Sequence, residues 1–399
     1  MQNTDYFVLY RRTMTRLDLK ALCAHARPVR KFERFRVFET RWWDDGDLKD
    51  FGPITQSLQF LPHLGSVTSP RFRVMSLSAV TRRMVTCLLN ISEARNRDIV
   101  DKVARAAVFH KHGGWREGST VLNIFNDHGY NRSVITIVAS IDDIGEAVLS
   151  ACEQALDMID MRGHVGAHPC MGAVDLVPLY PLGEDVGLEE CGREARELAG
   201  RLTRRVPGTA AFYFGMADDP SHRGLAQRRK EVGWFRNNHD LSRVRPDVGG
   251  TPESRYGLTG VGASPYVMNC NVTLGTQDLN VGHRVAASLR ESSPGGIPGV
   301  QVLALPHEGA VEIACNVESV PGAPPADHWP TFSIRGQQFW HAPASLISTH
   351  VKQLAGRYGV VTKGTVLVGF TPQECKGLAV QAITQGIGEY WKHQRAIFM

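Results

Sequence analysis

Two histidines, His164 and His168, fall in the turn-rich stretch MRGHVGAHPCMGAVD, residues 161–175. Imidazoles so spaced could clip a metal, move a proton, or simply sit in a turn. A zinc site needs three or more protein ligands, and the familiar pair at this spacing rides on a helix, which Gly163, Gly166 and Pro169 oppose. No metal is therefore expected. A loop stiffened by proline and eased by glycine can instead hold one imidazole at a cleft wall, where its proton affinity suits transfer near neutral pH. A merely solvated or structural pair is the competing reading, and the residues by themselves leave both open.

Arginines supply the second chemical signal. Arg132 follows Asn131 in a turn between two apolar segments, Arg162 adjoins the histidine stretch, and Arg223, Arg228, Arg229 and Lys230 gather in SHRGLAQRRKE. Guanidinium groups grip carboxylates in two-pronged fashion, so a cleft holding several of them suits a polycarboxylate ligand. For the RRK cluster a solvated helix face explains the sequence equally well. The run GGTPESRYGLTGVGAS matches no phosphate-binding glycine motif. It reads as a linker or as a flexible wall over a flat ligand.

These residues need a scaffold. "TCLLNIS" reads as a buried strand, after which Ser92 can cap a helix around RDIVDKVARAAVF that turns Ile99, Val103 and Ala106 or Ala107 to one side. Strands VLNIF and SVITIVA, helix DIGEAVLSACEQALDMID and strand AVDLVPLYPL follow, giving a βαββαβ order with a further helix and strand. Beyond the glycine-rich run the order begins again with YVMNCNVTL and ends with TVLVGF. The expected fold class is α/β (α+β), two tandem ferredoxin-like βαββαβ subdomains facing across a cleft, residues 84–264 and 265–399. Residues 1–83 carry no clean periodicity and are expected to be an irregular extension.

Composition removes several classes of function. The net charge of +5 is concentrated in the first 83 residues, so the remainder lacks the basic footprint of a nucleic-acid binder. Eight cysteines without a C-x-x-C pair argue against a disulfide framework and for a reducing compartment. No apolar run approaches the roughly 18 residues of a membrane span. The expected setting is cytoplasmic, with mitochondrial targeting from an internal start at Met75 as the alternative.

Taken in order, NISEARN (90–96), YNRSVITI (130–137), IDMRGHVGAHPCMGAVDLVPLYPL (159–182), HRGLAQRRKE (222–231), DVGG…GLTGVGA (247–263) and RYGV…GTVLVGFTP (357–372) resemble the formiminotransferase domain of formiminotransferase-cyclodeaminases. The likeness is greatest to stand-alone proteins that carry the formiminotransferase N-terminal subdomain, and it runs from about Met84 to Gln385. It implies transfer of a formimino group from N-formimino-L-glutamate to tetrahydrofolate as co-substrate, with no metal, in a homodimer. The histidine before the proline of the family's H-x-G-E-H-P-R-M-G-A pattern falls at His168, which the resemblance makes the general acid/base. Folate and donor contacts are expected from Asn131, Arg132, Arg162, His164, Arg223, Gly249, Gly250, Tyr256 and Gly257. Three departures stand out: Ala167 where the pattern has Glu, Cys170 where it has Arg, and Ser264-Pro265 where it has Arg-Lys. They frame the alternative of a catalytically weakened folate-binding paralogue with a regulatory role. No cyclodeaminase segment is expected.

Overall fold

The computed structural model describes residues 83–235 and 241–393. Residues 1–82 of the expected extension, including the Met75 leader, lie outside them, as does Cys23.

The first half is built on a seven-stranded sheet. In chain order its elements are β1 (Met84–Ile91), α1 (Arg97–Val108), β2 (Thr120–Asp127), β3 (Arg132–Ser140), α2 (Ile141–Met158), β4 (Val174–Pro181), α3 (Leu188–Arg205), β5 (Ala210–Gly215), α4 (Leu225–Glu231), β6 (Val248–Gly249) and β7 (Leu258–Ala263). The strands lie in the order β2-β3-β1-β4-β7-β5-β6. β1 is antiparallel to both β3 and β4, the arrangement produced when two split βαβ units interleave. Helices α1, α2 and α3 pack on one face through Val103, Ala107, Ile144, Val148, Cys191, Ala195 and Leu198, all fully buried.

The second half repeats the order with β8 (Val267–Leu274), α5 (Leu279–Leu289), β9 (Val300–His307), β10 (Ala310–Glu318), α6 (Ala344–Gly356) and β14 (Thr362–Leu367), and its strands lie β14-β8-β10-β9. Between β10 and α6 sits a small antiparallel sheet that sequence periodicity did not suggest: β11 (Val320–Pro321), β12 (Thr331–Ile334) and β13 (Gln337–Trp340). Helix α7 (Pro372–Thr384) starts with a capping box in which Thr371 and Glu374 exchange side-chain and backbone bonds. It then returns to the first sheet, where buried Cys375, Ala379 and Ala382 join Leu88, Leu122 and Val138 in one core. Just beyond it, the chain runs along β2, the outermost strand: Val121 N–H donates to the Gly388 carbonyl at 2.9 Å, and the Thr120 hydroxyl to that of Ile387 at 2.8 Å.

Two local expectations are corrected. Ser92 does not cap α1. Its hydroxyl donates to the Gly172 carbonyl, tying β1 to the end of the histidine stretch, while Asn96 caps the helix by accepting from Ile99 N–H. The glycine-rich run is not a linker throughout, because its second part, LTGVGA, is β7, a fully buried strand parallel to β4 and β5. Glycine is needed there because a Cβ on Gly260 would lie 2.7 Å from the Phe212 ring, and one on Gly262 would lie 2.4 Å from the Phe214 carbonyl. Among the described residues no helix is long and apolar enough to cross a membrane.

Candidate active site

The histidine stretch joins α2 to β4 and is held from two sides. On one side Met171 and Gly172 meet the strand that enters β7: Leu258 N–H donates to the Met171 carbonyl, and Ala173 N–H to that of Tyr256, each near 2.8–2.9 Å. On the other it lies against the turn between β2 and β3, where Ala167 N–H donates to the Gly129 carbonyl. A Cβ on Gly166 would be 2.1 Å from the Tyr130 carbonyl oxygen, so only glycine allows this approach.

His168 is half-buried in the resulting angle, with two aromatic rings set edge-on to it: Tyr130 at 5.1 Å and Trp234 at 5.6 Å between centroids. Its Nδ1 lies 2.8 Å from the Pro169 carbonyl. A carbonyl can only accept, so Nδ1 carries the proton and Nε2 keeps its lone pair. Burial, then the positive charges of Arg132 and Arg229, push its pKa down to about 3. The ring is therefore neutral across the ordinary pH range. Among the described residues no carboxylate bonds to it, and a backbone oxygen orients it instead.

Beneath the ring lies a buried charge cluster. Arg132 donates to Asp175 Oδ2 at 2.5 Å and to Asn90 Oδ1 at 2.8 Å. Asp175 Oδ1 accepts from Met171 N–H at 2.8 Å, which ties the cluster to the histidine stretch. Arg229 reaches the same carboxylate only at 4.0 Å and stacks its guanidinium 4.2 Å above Trp234. Two arginines thus share one aspartate, and the cluster keeps one surplus positive charge away from water. Arg229 feels this: desolvation and Arg132 push its pKa down to about 10. A carboxylate placed here would complete the balance.

His164 is held differently. Asn131, at φ +50°, accepts on its Oδ1 from Ala94 N–H at 3.0 Å, so its Nδ2 faces His164 Nδ1 at 3.5 Å. His164 Nε2 then carries the proton and sits 3.2 Å from Cys170 Sγ. The order Asn, His, Cys is that of a cysteine nucleophile set, but its polarity is reversed. Burial also pushes the thiol up to about 11, so the sulfur stays protonated. Among the described residues no group of three His, Cys, Asp or Glu side chains could hold a metal.

The other expected ligand contacts are scattered. Arg162 is 61 % exposed and paired with Asp160. Arg223 lies between Asp218 and Glu231, bonded to both. Gly249 and Gly250 lie at the outer edge, where β6 pairs with β5. Gly257 bridges to Gly172 in the histidine stretch, whereas Tyr256 is partly buried against the core under the helices. The sequence does not single out Asp175, Trp234 or Asn90, and it leaves the RRK cluster open between a solvated helix face and a ligand contact. Arg228 and Arg229 are buried and only Lys230 is exposed. The available signal was Trp234 four residues beyond Lys230, a large apolar anchor that draws the short helix down onto β5.

The fold and this site define a mixed α/β protein in which a neutral histidine stands over a buried cationic pair. Residues 84–264 match the formiminotransferase domain, N-terminal subdomain. A formiminotransferase cyclodeaminase-like protein of Arabidopsis thaliana is 32 % identical over 251 residues, spanning 58 % of this chain and 80 % of that protein. A glutamate formimidoyltransferase of Streptococcus pyogenes serotype M1 is 31 % identical over 53 % of this chain and 70 % of the relative, and one of Thermoplasma acidophilum is 27 % identical over 73 % and 89 %. The chain belongs to the formiminotransferase family.

Proposed function

We propose that this chain is a glutamate formimidoyltransferase-like enzyme that moves the formimino group of N-formimino-L-glutamate to tetrahydrofolate, with His168 as the general acid/base. The observation that carries this reading is the His168 tautomer, with Nδ1 tied to Pro169 and Nε2 left with a lone pair on a neutral ring. The folate amine attacks the amidine carbon, His168 Nε2 takes the amine proton, and the proton is returned to the nitrogen of glutamate as it departs. Arg229 is the residue we assign to a substrate carboxylate, since it shares Asp175 with the better-placed Arg132. The small-molecule substrates are folate and formiminoglutamate, and the organisation is the N- and C-terminal subdomains 84–264 and 265–399. A homodimer in the cytoplasm, with no metal and no nucleic-acid partner, rests on the family resemblance and on composition.

A second reading, a folate-binding paralogue of weakened activity, is favoured by Ala167, which puts a methyl group beside His168 where the family pattern has a carboxylate. Turnover of formiminoglutamate with tetrahydrofolate, compared between the parent and His168→Ala, separates the two. Turnover in the parent alone supports the enzyme. Folate binding without turnover in either supports the paralogue.

A further inference from the structure

Glu312 is the buried acid that the reaction above leaves without a task. It lies in β10 of the second half and is fully buried, and it is linked to the site through Tyr130. The Tyr130 hydroxyl donates to Glu312 Oε1 at 2.8 Å, and Asn271 Nδ2 donates to the same oxygen at 2.9 Å. Its other oxygen, Oε2, is buried and has no hydrogen-bond partner among the described residues. A carboxylate oxygen out of water without a donor is costly, and nearby polar sites usually meet that need. The Tyr130 ring whose hydroxyl bonds this acid is the ring set edge-on to His168, so one tyrosine contacts both the base and the carboxylate.

We propose that Glu312 selects the one-carbon donor: Oε2 accepts an N–H of the donor's cationic formamidine group and so holds the carbon under attack within reach of His168. The proposal rests on the transferase reading and deepens it. The charges suit such a donor at both ends, because the Arg132–Asp175–Arg229 cluster has one positive charge to spare for a carboxylate while Glu312 offers a negative one to the amidinium. The reaction preserves that pairing. The folate nitrogen forms the new C–N bond, the C=N electron pair moves to the amidine nitrogen, and the folate proton passes through His168 to the departing glutamate nitrogen. When the old C–N bond breaks the amidinium re-forms on folate, still one positive charge beside Glu312. An acid in this place therefore recognises donor and product alike, and it rejects a neutral acyl group of the same shape.

Two ligands differ at that group alone, a cationic C=NH2 donor against a neutral C=O acceptor: N-formimino-L-glutamate and its isostere N-formyl-L-glutamate. Calorimetric titration of the full chain with each should show the parent preferring the cationic ligand by about 10- to 100-fold, the range for a hydrogen bond to a charged group. Glu312→Gln keeps an Oε1 for Tyr130 and Asn271 and replaces only the free oxygen by a donor. It should bind the two ligands within about twofold of each other, with tetrahydrofolate affinity unchanged. A Gln variant that keeps the preference overturns the proposal, and if its parent turns over formiminoglutamate the transferase reading survives alone. A parent that binds neither glutamate derivative removes that reading and the proposal with it. The parent also provides a test without mutation. Burial raises the Glu312 pKa, with Tyr130, Asp127, His307 and Asn271 facing it, so the preference should shrink as acid neutralises the group. A preference that stays flat from about pH 8 to about pH 4.5 overturns the proposal even if the variant misfolds.

Discussion

Nδ1 of His168 donates to the carbonyl of Pro169, the next residue in the chain, at 2.8 Å. The imidazole is thereby oriented by the peptide it is built into. Its basicity is set by the charges beneath it and by the Tyr130 and Trp234 rings beside it.

The first prediction follows from opposite shifts on either side of Tyr130. His168 is pushed down to about 3, chiefly by burial, whereas His307, bonded to Asp127 at 2.9 Å, is raised by that bond. Between about pH 6.5 and pH 3 the unfolded chain binds a proton at residue 168 that the folded one refuses, so this part of the stability is complete above that window and is lost as pH falls through it. The His307 part is complete below the unfolded value and is lost as pH rises through the folded one. Imidazole NMR titration should find His168 uncharged at pH 5 and His307 titrating above the ordinary histidine value of about 6.5. A His168 midpoint near 6.5 would refute the reading of its surroundings.

Replacing Ala167 by Glu should raise the His168 pKa by about one unit, the low end for an opposite charge nearby, because residue 167 is exposed. The same titration measures it. If the missing carboxylate limits the reaction, turnover at neutral pH should rise as well.

Arg132→Met leaves the Asp175 carboxylate with the Met171 N–H and the distant Arg229 as partners and removes the Arg132 donor from Asn90 Oδ1, and should cost about 3–5 kcal/mol in urea unfolding. Adding Asp175→Asn should restore much of that loss, since the uncompensated buried charge is removed. An additive double variant would show that the two side chains do not act as a pair.

Arg229→Met removes a cation that makes one long contact to Asp175 and a stack on Trp234. It should destabilise the fold less than Arg132→Met, yet weaken glutamate-type ligands by about 10- to 100-fold in calorimetry. Equal ligand affinity in the variant would move the carboxylate site elsewhere.

Gly260→Val should cost at least about 1–3 kcal/mol, the usual penalty for overfilling a packed core, because the Phe212 ring occupies the space of the new side chain. The midpoint of thermal unfolding reads it out.

Apolar runs such as TCLLNIS and YVMNCNVTL carried the repeated βαββαβ order, because strands buried on one or both faces write their burial into consecutive residues. β7 did not, since LTGVGA spends its side-chain space on the Phe212 and Phe214 rings and so reads as a loop. The histidine stretch was legible from His168, Pro169 and the flanking glycines. Its supports were not: Asp175 looks like one polar residue in an apolar strand, and Glu312 looks the same in AVEIACNV. What each touches depends on pairing across 43 and 182 residues of sequence, and no local pattern encodes such distances.

The segment laid along β2 by residues 387–388 has a bearing on how the protein is handled. Unpaired donors on an outer strand are a template for other chains, and here Val121 N–H is already occupied. Trimming the chain before Ile387 would bare that edge while leaving the histidine, the arginines and Glu312 untouched. Such a shortened protein should keep its chemistry and lose its solubility, through edge-to-edge aggregation rather than through unfolding.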